Sequence, residues 1–394
     1  MKRLYVLSPS DRFNYGDMLF PYIIKHYFKD SVDEIINCAT SSSDLSEKGG
    51  IPTYNYEKIF NAPKENGVDN YLMIAGGECL FSPWPVILSY VFEDVNRRMK
   101  VFSSFPRVRG ITRFTNLYMD SYVRHKYKIL SMYPFTIGLD EIPNFKGVLY
   151  NSVGGVGLEY NKRVLQSEKC KKILKSASYL SVRDSKTSRA LKEMGVNNIV
   201  CPDSAILMSE VFSGDFLLRS ISKDVSSINP HSYVFFQINS ISSTGNEEFY
   251  GEMLNRIFLK HRKKFILCPI GTAYGHEDDI SLLKISKHMR EETYKLISSP
   301  TIWDIMYLIK NSCVYVGTSL HGAITASSFS VPIVTHGKKK VEQYVTEWGG
   351  LFSYPQKLEE DIIKQLTNPV VSPSSEQKQL SISSINRMLD IIKK

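Results

Sequence analysis

The sequence predicts an α/β protein built from two Rossmann-like units that face each other across a cleft. Apolar runs of strand length alternate with amphipathic helical segments along most of the 394 residues. The alternation occurs twice, on either side of the Ser- and Asp-rich stretch Ser209 to Pro230. Loops rich in glycine and polar residues follow one strand after another. Alternating strands and helices argue for parallel sheets with helices on both faces, and such sheets collect ligands at the carboxyl ends of their strands.

In the first unit, residues 1–215, RLYVLS leads into the helical DMLFPYIIKHYF, EIINCA follows, and YLMIAGG leads towards PWPVILSYVFEDV. After an insertion at 97–135, GVLYNSVGG precedes NKRVLQSEKCKKILKSA, YLSVRD precedes SKTSRALKEMG, and NIVCPDSAIL closes the series. In the second unit, residues 230–370, SYVFFQIN precedes a helix around 246–262 and KFILCPIG one around 277–289. CVYVGTS and VPIVTHG are its further strands. NPVVSPSS is a linker of turn-forming residues, after which 375–394 reads as a terminal amphipathic helix.

A composition of 43% apolar and 23% charged residues is that of an ordinary globular protein. No apolar run approaches the roughly 18 residues of a membrane span, and the first residues read as a strand rather than a signal peptide. The six cysteines are scattered without a C-x-x-C pair, which is the pattern of reduced, buried thiols in a cytoplasmic protein and not of a zinc site. The net charge of +9 is concentrated in one place: Arg97 to Phe135 holds nine Lys/Arg, among them Arg107, Arg109 and Arg113, against Asp120 alone. Eight aromatic residues share that segment. An anionic partner met by the insertion is therefore expected, with the aromatics packing into the first unit's core as the plainer alternative.

Four strand-end loops carry useful chemistry. FNYGD sets Asn14, Gly16 and Asp17 after the first strand, where Asp17 is either a helix cap or a site residue. In AGGE, the pair Gly76 and Gly77 lets a backbone approach something closely, with Glu78 beside it. Arg183 ends an apolar strand in SVRD, suited to bind a carboxylate or phosphate through two parallel hydrogen bonds or to pair with Asp184 or Asp203. In VGTSLHGAITASSFSVPIV, Gly317 to Gly322 read as the turn between a strand and a helix. Thr318, Ser319, Gly322 and the amides near His321 then form an anion cradle at the helix start. Lys338, Lys339 and Lys340, one strand later, are either further anion contacts or a solvated run.

In order and spacing, FNYGD, AGG, SVRDSKTSRALKEMG with CPDSAIL, and GTSLHGAITASSFSVPIV followed by lysine resemble the polysaccharide pyruvyl transferase family, over about Asn14 to Lys340. The resemblance implies a glycosyltransferase B-like fold and transfer of a pyruvyl group from phosphoenolpyruvate to two hydroxyls of one sugar. The acceptor would be a cell-surface polysaccharide (capsule or exopolysaccharide) or its lipid-linked precursor. It makes Arg183 and His321 the matching donor-site residues, with the second unit on the donor side and the insertion on the acceptor side. Many members carry Arg two residues before the histidine, where this chain has Ser319.

Such chemistry needs a cationic pocket for the donor, to which Arg183, Thr318, Ser319, Gly322, Lys338, Asn14, Gly76 and Gly77 are assigned. His321 holds the phosphate or moves protons, and Asp17 or Glu78 serves as the base on the sugar side. No metal or cofactor is demanded, and no nucleic acid partner is expected; the inner face of an anionic membrane is a further candidate partner. The competing readings are a nucleotide-sugar glycosyltransferase on the same architecture and a non-catalytic glycan-binding protein.

Overall fold

Strand β1, Lys2–Leu7, buries its last four residues and is an interior strand of a seven-stranded sheet. The computed structural model describes residues 1–105, 109–155 and 157–394, with only the backbone of 109 and 110. The sheet continues with β2 (Glu34–Ala39), β3 (Tyr54–Asn55), β4 (Asp69–Ile74), β5 (Phe145–Val153), β6 (Tyr179–Val182) and β7 (Ile199–Val200). All strands pair in parallel, in the order β3-β2-β1-β4-β5-β6-β7.

A second parallel sheet comprises β8 (Tyr233–Gln237), β9 (Lys264–Leu267), β10 (Tyr294–Leu296), β11 (Val314–Gly317), β12 (Ile333–Thr335) and β13 (Leu351–Phe352). Its order is β10-β9-β8-β11-β12-β13. In both sheets the winding reverses beside the first strand, between β1 and β4 and between β8 and β11. Loops leaving such a reversal diverge and open a crevice. The sequence predicted two units of this kind; the strands it did not show are β3, β10 and β13. Each is two or three residues long and lies at or next to a sheet edge, too short to leave an apolar run.

The helix Tyr15–Phe28 joins the units. Its first amide, Tyr15 N, donates to Ile270 O at 3.0 Å, Asn14 forms a bridge with Gly271, and the Tyr15 hydroxyl lies 2.9 Å from Thr325 Oγ1. One buried cluster consequently runs from Leu4, Val6 and Met73 of the first sheet through Phe20 and Ile23 to Phe235, Tyr315 and Ile324 of the second. The terminal helix, Ser375–Lys393, returns to the first unit, where the Ser384 hydroxyl meets the Tyr179 hydroxyl at 2.8 Å and Lys2 Nζ donates to Ile392 O.

The insertion is a pair of helices, Glu93–Ser103 and Arg109–Lys126. Its aromatics divide. Phe135 is fully buried and Tyr127 stacks on Phe92 at 4.5 Å, while Phe105, Phe114 and Tyr118 stay exposed together with Val101, Ile111 and Leu117. Many of its cations are engaged: Arg97 by Glu93, Arg124 by Asp120, Lys126 by Asp94 and Lys100 by Glu277. Arg107 lies outside the described residues.

Candidate active site

A cavity of about 250 Å³ lies where the carboxyl ends of the two sheets meet. Among the residues assigned from the sequence, Asn14, Asp17, Glu78, Arg183, Thr318, Ser319, His321 and Lys338 line it. Gly76, Gly77 and Gly322 do not. They serve close packing instead: Gly76 and Gly77 have φ of +102° and +85°, and a Cβ on Gly76 or Gly322 would run into Phe20 or the Tyr315 hydroxyl.

On the first wall, Arg183 is sandwiched between carboxylates. Nη2 donates to Glu78 Oε2 at 2.5 Å and Nη1 to Asp203 Oδ2 at 3.1 Å. The same Asp203 oxygen lies 3.5 Å from His321 Nε2, across the boundary between the units. Burial favours a neutral Asp203, but His321, Arg183 and the Ala205 amide outweigh it and hold this carboxyl below the usual range. His321 packs edge-on against Phe20 and directly over Gly16, where a Cβ would come within 1.9 Å of the ring. Glycine at position 16 is thus what lets the histidine lie across the start of the first helix.

Asp17 is the third residue of its helix, not the cap. Asn14 occupies the cap position and donates to Asp17 Oδ2 at 2.7 Å, with Arg12 Nη2 at 3.9 Å. Burial pushes the Asp17 carboxyl up, against the pull of Arg12, His321, Lys340 and Arg183. Arg12 is itself buried, bonded to Asp11, and its guanidinium faces the Tyr90 ring.

On the second wall, the turn expected over Gly317 to Gly322 is cut short by the helix Leu320–Ser328, in which Leu320, His321 and Gly322 are already helical. The reason is local. Ser319 caps the helix, its Oγ accepting from Gly322 N at 3.3 Å. Thr318 is occupied as well, its amide donating to Gln237 Oε1 at 3.0 Å and its hydroxyl accepting from Asn239 Nδ2 at 2.6 Å. The residues expected to cradle an anion with their side chains therefore spend them on fixing the loop.

The cations of this wall are Lys338 and Lys340, both half-buried, and neither forms an ion pair among the described residues. Burial, then Lys340, brings Lys338 down to about 8; Lys340 is also lowered by burial, with Glu78 and Asp17 opposing. Lys339 faces outward and is exposed. His276 borders the cavity as a neutral imidazole, pushed down to about 3 by burial and the cations around it. The helix Lys339–Trp348 ties the walls together, Glu347 accepting from Ser185 N and Trp348 Nε1 donating to the Arg183 carbonyl.

Arg12, Gln237, Asn239, His276 and Asp278 were not singled out from the sequence. They are polar residues at a strand end (Gln237) or in the segments that follow the strands, a signal shared with many residues that never reach a cleft. No group of three or more His, Cys, Asp or Glu side chains suited to a metal ion occurs among the described residues, and no described helix is long and apolar enough to cross a membrane.

Comparison with solved structures places the architecture. Over 100% of both chains, the protein superposes on UDP-GlcNAc 2-epimerase from Neisseria meningitidis bound to UDP-GlcNAc with a TM-score of 0.56 at 11% identity. The corresponding enzyme of Methanocaldococcus jannaschii gives 0.54 at 13% identity, over 99% of this chain and 100% of that one. The one from Rickettsia bellii gives 0.54 at 12%, over 100% and 97%. At such identities the likeness is one of fold, glycosyltransferase B-like. Among curated proteins none matches the sequence significantly. The polysaccharide pyruvyl transferase family matches residues 14–335, which hold most strands of both sheets and most of the cleft lining, and the chain belongs to that family of transferases.

Proposed function

We propose that the protein moves a pyruvyl group from phosphoenolpyruvate to two hydroxyls of one sugar, in a cell-surface polysaccharide or its lipid-linked precursor. The observation that carries this reading is the pair Lys338 and Lys340, cations held half-buried in the cleft beside His321 that form no ion pair among the described residues. Burial disfavours the charged form of both lysines, and an anionic ligand relieves that cost. Phosphoenolpyruvate presents a carboxylate and a phosphate on a three-carbon frame, an arrangement that two such ammonium groups and Arg12 can meet together.

In this reading the donor lies against the second wall, with its phosphate near Lys338, Lys340 and the start of the His321 helix, whose partial positive charge adds to the attraction. His321, aligned by Asp203, holds the departing phosphate or carries its proton. Arg183 helps hold the Asp203 carboxyl low and, bonded to both carboxylates, fixes Glu78 and Asp203 in place at the donor's edge. Asp17, its carboxyl raised by burial, takes the proton of an attacking hydroxyl, with Glu78 as the alternative base. Phosphoenolpyruvate enters as a substrate and not as a cofactor. The sugar reaches the cleft past Val86, Tyr90 and Ile241, beside the insertion.

Incubating the protein with phosphoenolpyruvate and candidate lipid-linked oligosaccharides, followed by mass spectrometry, tests the reading. A gain of one pyruvyl group with loss of water supports it. Transfer of a glycosyl unit from a nucleotide sugar, with no use of phosphoenolpyruvate, replaces it with a glycosyltransferase.

A further inference from the structure

We propose that Asp278 is the acid that delivers a proton to the methylene carbon of the donor. This deepens the pyruvyl-transfer reading and rests on it. Asp278 opens the helix Asp278–Ser286, after β9, and lines the cavity on the wall that carries Lys338. Its two carboxyl oxygens are treated differently. Oδ2 accepts three hydrogen bonds, from Gln237 Nε2 at 2.8 Å and from the Ile270 and Gly271 amides at 3.0 Å each. Oδ1 is buried and has no hydrogen-bond partner among the described residues. A carboxyl group that is only 2% exposed, with one oxygen saturated by donors and the other left over, is built to keep its proton on the free oxygen.

The charged and titratable groups facing it agree. Burial pushes Asp278 up to about 7, against Gln237, the two amides and Lys338, so a large part of it is protonated at neutral pH. Tyr315 and Cys268, its other titratable neighbours, are both raised by burial and stay neutral. His276, two residues earlier, has too low a pKa to be charged. Asp17, the other raised carboxyl, stands on the opposite wall between Asn14 and Arg12, where the acceptor rather than the donor lies.

The balance is simple. The π pair of the enol double bond takes the proton from Asp278 Oδ1, forming the third C–H bond of a methyl group, and the O–H electrons remain on the carboxylate. The neighbouring carbon becomes an oxocarbenium centre, and a sugar hydroxyl adds to it and gives up its proton. The bond from that carbon to the phosphate oxygen then breaks, the second hydroxyl adds, and one of the two hydroxyl protons leaves on inorganic phosphate while the other restores Asp278.

The test uses the full chain, with phosphoenolpyruvate binding followed by calorimetry and pyruvyl transfer by mass spectrometry across pH 5 to 9. In the wild type kcat/KM, which reports the free protein, should fall on the basic side with a midpoint near 7. Asp278→Asn should bind phosphoenolpyruvate within a few-fold of wild type, lose about a hundred-fold or more in kcat, and lose that basic limb. Lys338→Gln removes a cation that holds Asp278 down, so its basic limb should move to higher pH even though donor binding weakens. If Asp278→Asn turns over like wild type, or if the limb vanishes in Lys338→Gln because it belonged to the lysine, Asp278 is not the acid while pyruvyl transfer stands. Should Asp278→Asn fail to fold, the Lys338→Gln profile decides alone. A wild-type protein that neither binds phosphoenolpyruvate nor transfers its pyruvyl group overturns the parent reading, and this assignment with it.

Discussion

The two walls of the cleft stand on sheets of the same winding, yet they treat charge in opposite ways. The first wall neutralises its own: Arg183 lies between Glu78 and Asp203, and Asp17 is met by Asn14 and Arg12. On the second wall Lys338 and Lys340 form no ion pair among the described residues, and one carboxyl, Asp278, is surrounded by amide donors. A wall balanced internally is pre-organised before any ligand arrives, whereas an unbalanced one gains from binding. The difference teaches that an arginine at a strand end and a lysine at a strand end, equal as sequence signals, sit in unlike settings: one is held between two carboxylates and the other forms no ion pair among the described residues.

The sharpest way to break this contrast is to remove the central cation of each wall. Arg183→Ala leaves Glu78 and the fully buried Asp203 without their shared partner. Breaking a buried pair from one side costs about 3–5 kcal/mol, and thermal or denaturant unfolding should show a loss of that order. Lys340→Ala removes a cation with no ion pair to break, so it should leave stability unchanged or slightly raised. Equal losses in the two variants would mean that the walls do not differ as described.

How far the sequence reveals the site follows from the same contrast. The strand-end positions of Asn14, Asp17, Arg183 and His321 were legible because apolar runs stop abruptly before them, and the loops that carry them do converge. The long elements were legible for the same reason, and the helices expected around 246–262 and 277–289 are found at Glu247–His261 and Asp278–Ser286. What a strand-end residue bonds to was not legible. The partners of Arg183 come from β4's loop 105 residues earlier and from the segment after β7, and the ring of His321 sits on Gly16, some 300 positions away in the chain. Ser319 reads equally well as an anion contact or as a cap, and only the 3.3 Å approach to Gly322 N separates the two. Asp278 carried no signal at all, because its significance lies in an oxygen left unpaired by a three-dimensional arrangement of donors.

A second experiment sharpens the role of the unbalanced wall. Lys338→Met and Lys340→Met each remove one charge-assisted contact worth about 1.5–3 kcal/mol, so calorimetry should show phosphoenolpyruvate binding weakened by about ten-fold or more in each. The wild type should also have a pH dependence of known sign. Lys338, lowered to about 8 in the free protein, is charged below that pH and neutral above it, so donor affinity should decline as pH rises through 8. In Lys338→Met this decline should be much shallower. Affinity that is flat from pH 7 to 9 in the wild type would remove Lys338 from the donor site.

The smallest effect is expected at the insertion, which extends the comparison from the cleft walls to the outer surface. Four of its nine cations pair with Glu93, Asp94, Asp120 and Glu277, so part of its charge is already offset locally. Its exposed apolar residues are a different matter. Ile111, Phe114, Leu117 and Tyr118 recur at helical spacing along Arg109–Lys126, so they share one face, and Phe105 joins them through the Phe102 ring, which lies 5.6 Å from Phe105 and 5.5 Å from Tyr118. An amphipathic helix of this kind, with basic residues beside an aromatic face, suits the boundary of an anionic bilayer. That is also where a lipid-linked acceptor would be presented. The apolar face, not the charge, should then dominate binding. Phe114→Ser with Leu117→Ser should cut sedimentation with anionic vesicles several-fold and leave transfer to a short soluble acceptor unchanged. Arg113→Ser, tested alone, should have a weaker effect that added salt mimics, because surface attraction is screened over about 8 Å at physiological ionic strength. If the double variant sediments like the wild type, the apolar face does not meet a membrane, and the acceptor's carrier lipid has to be recognised elsewhere.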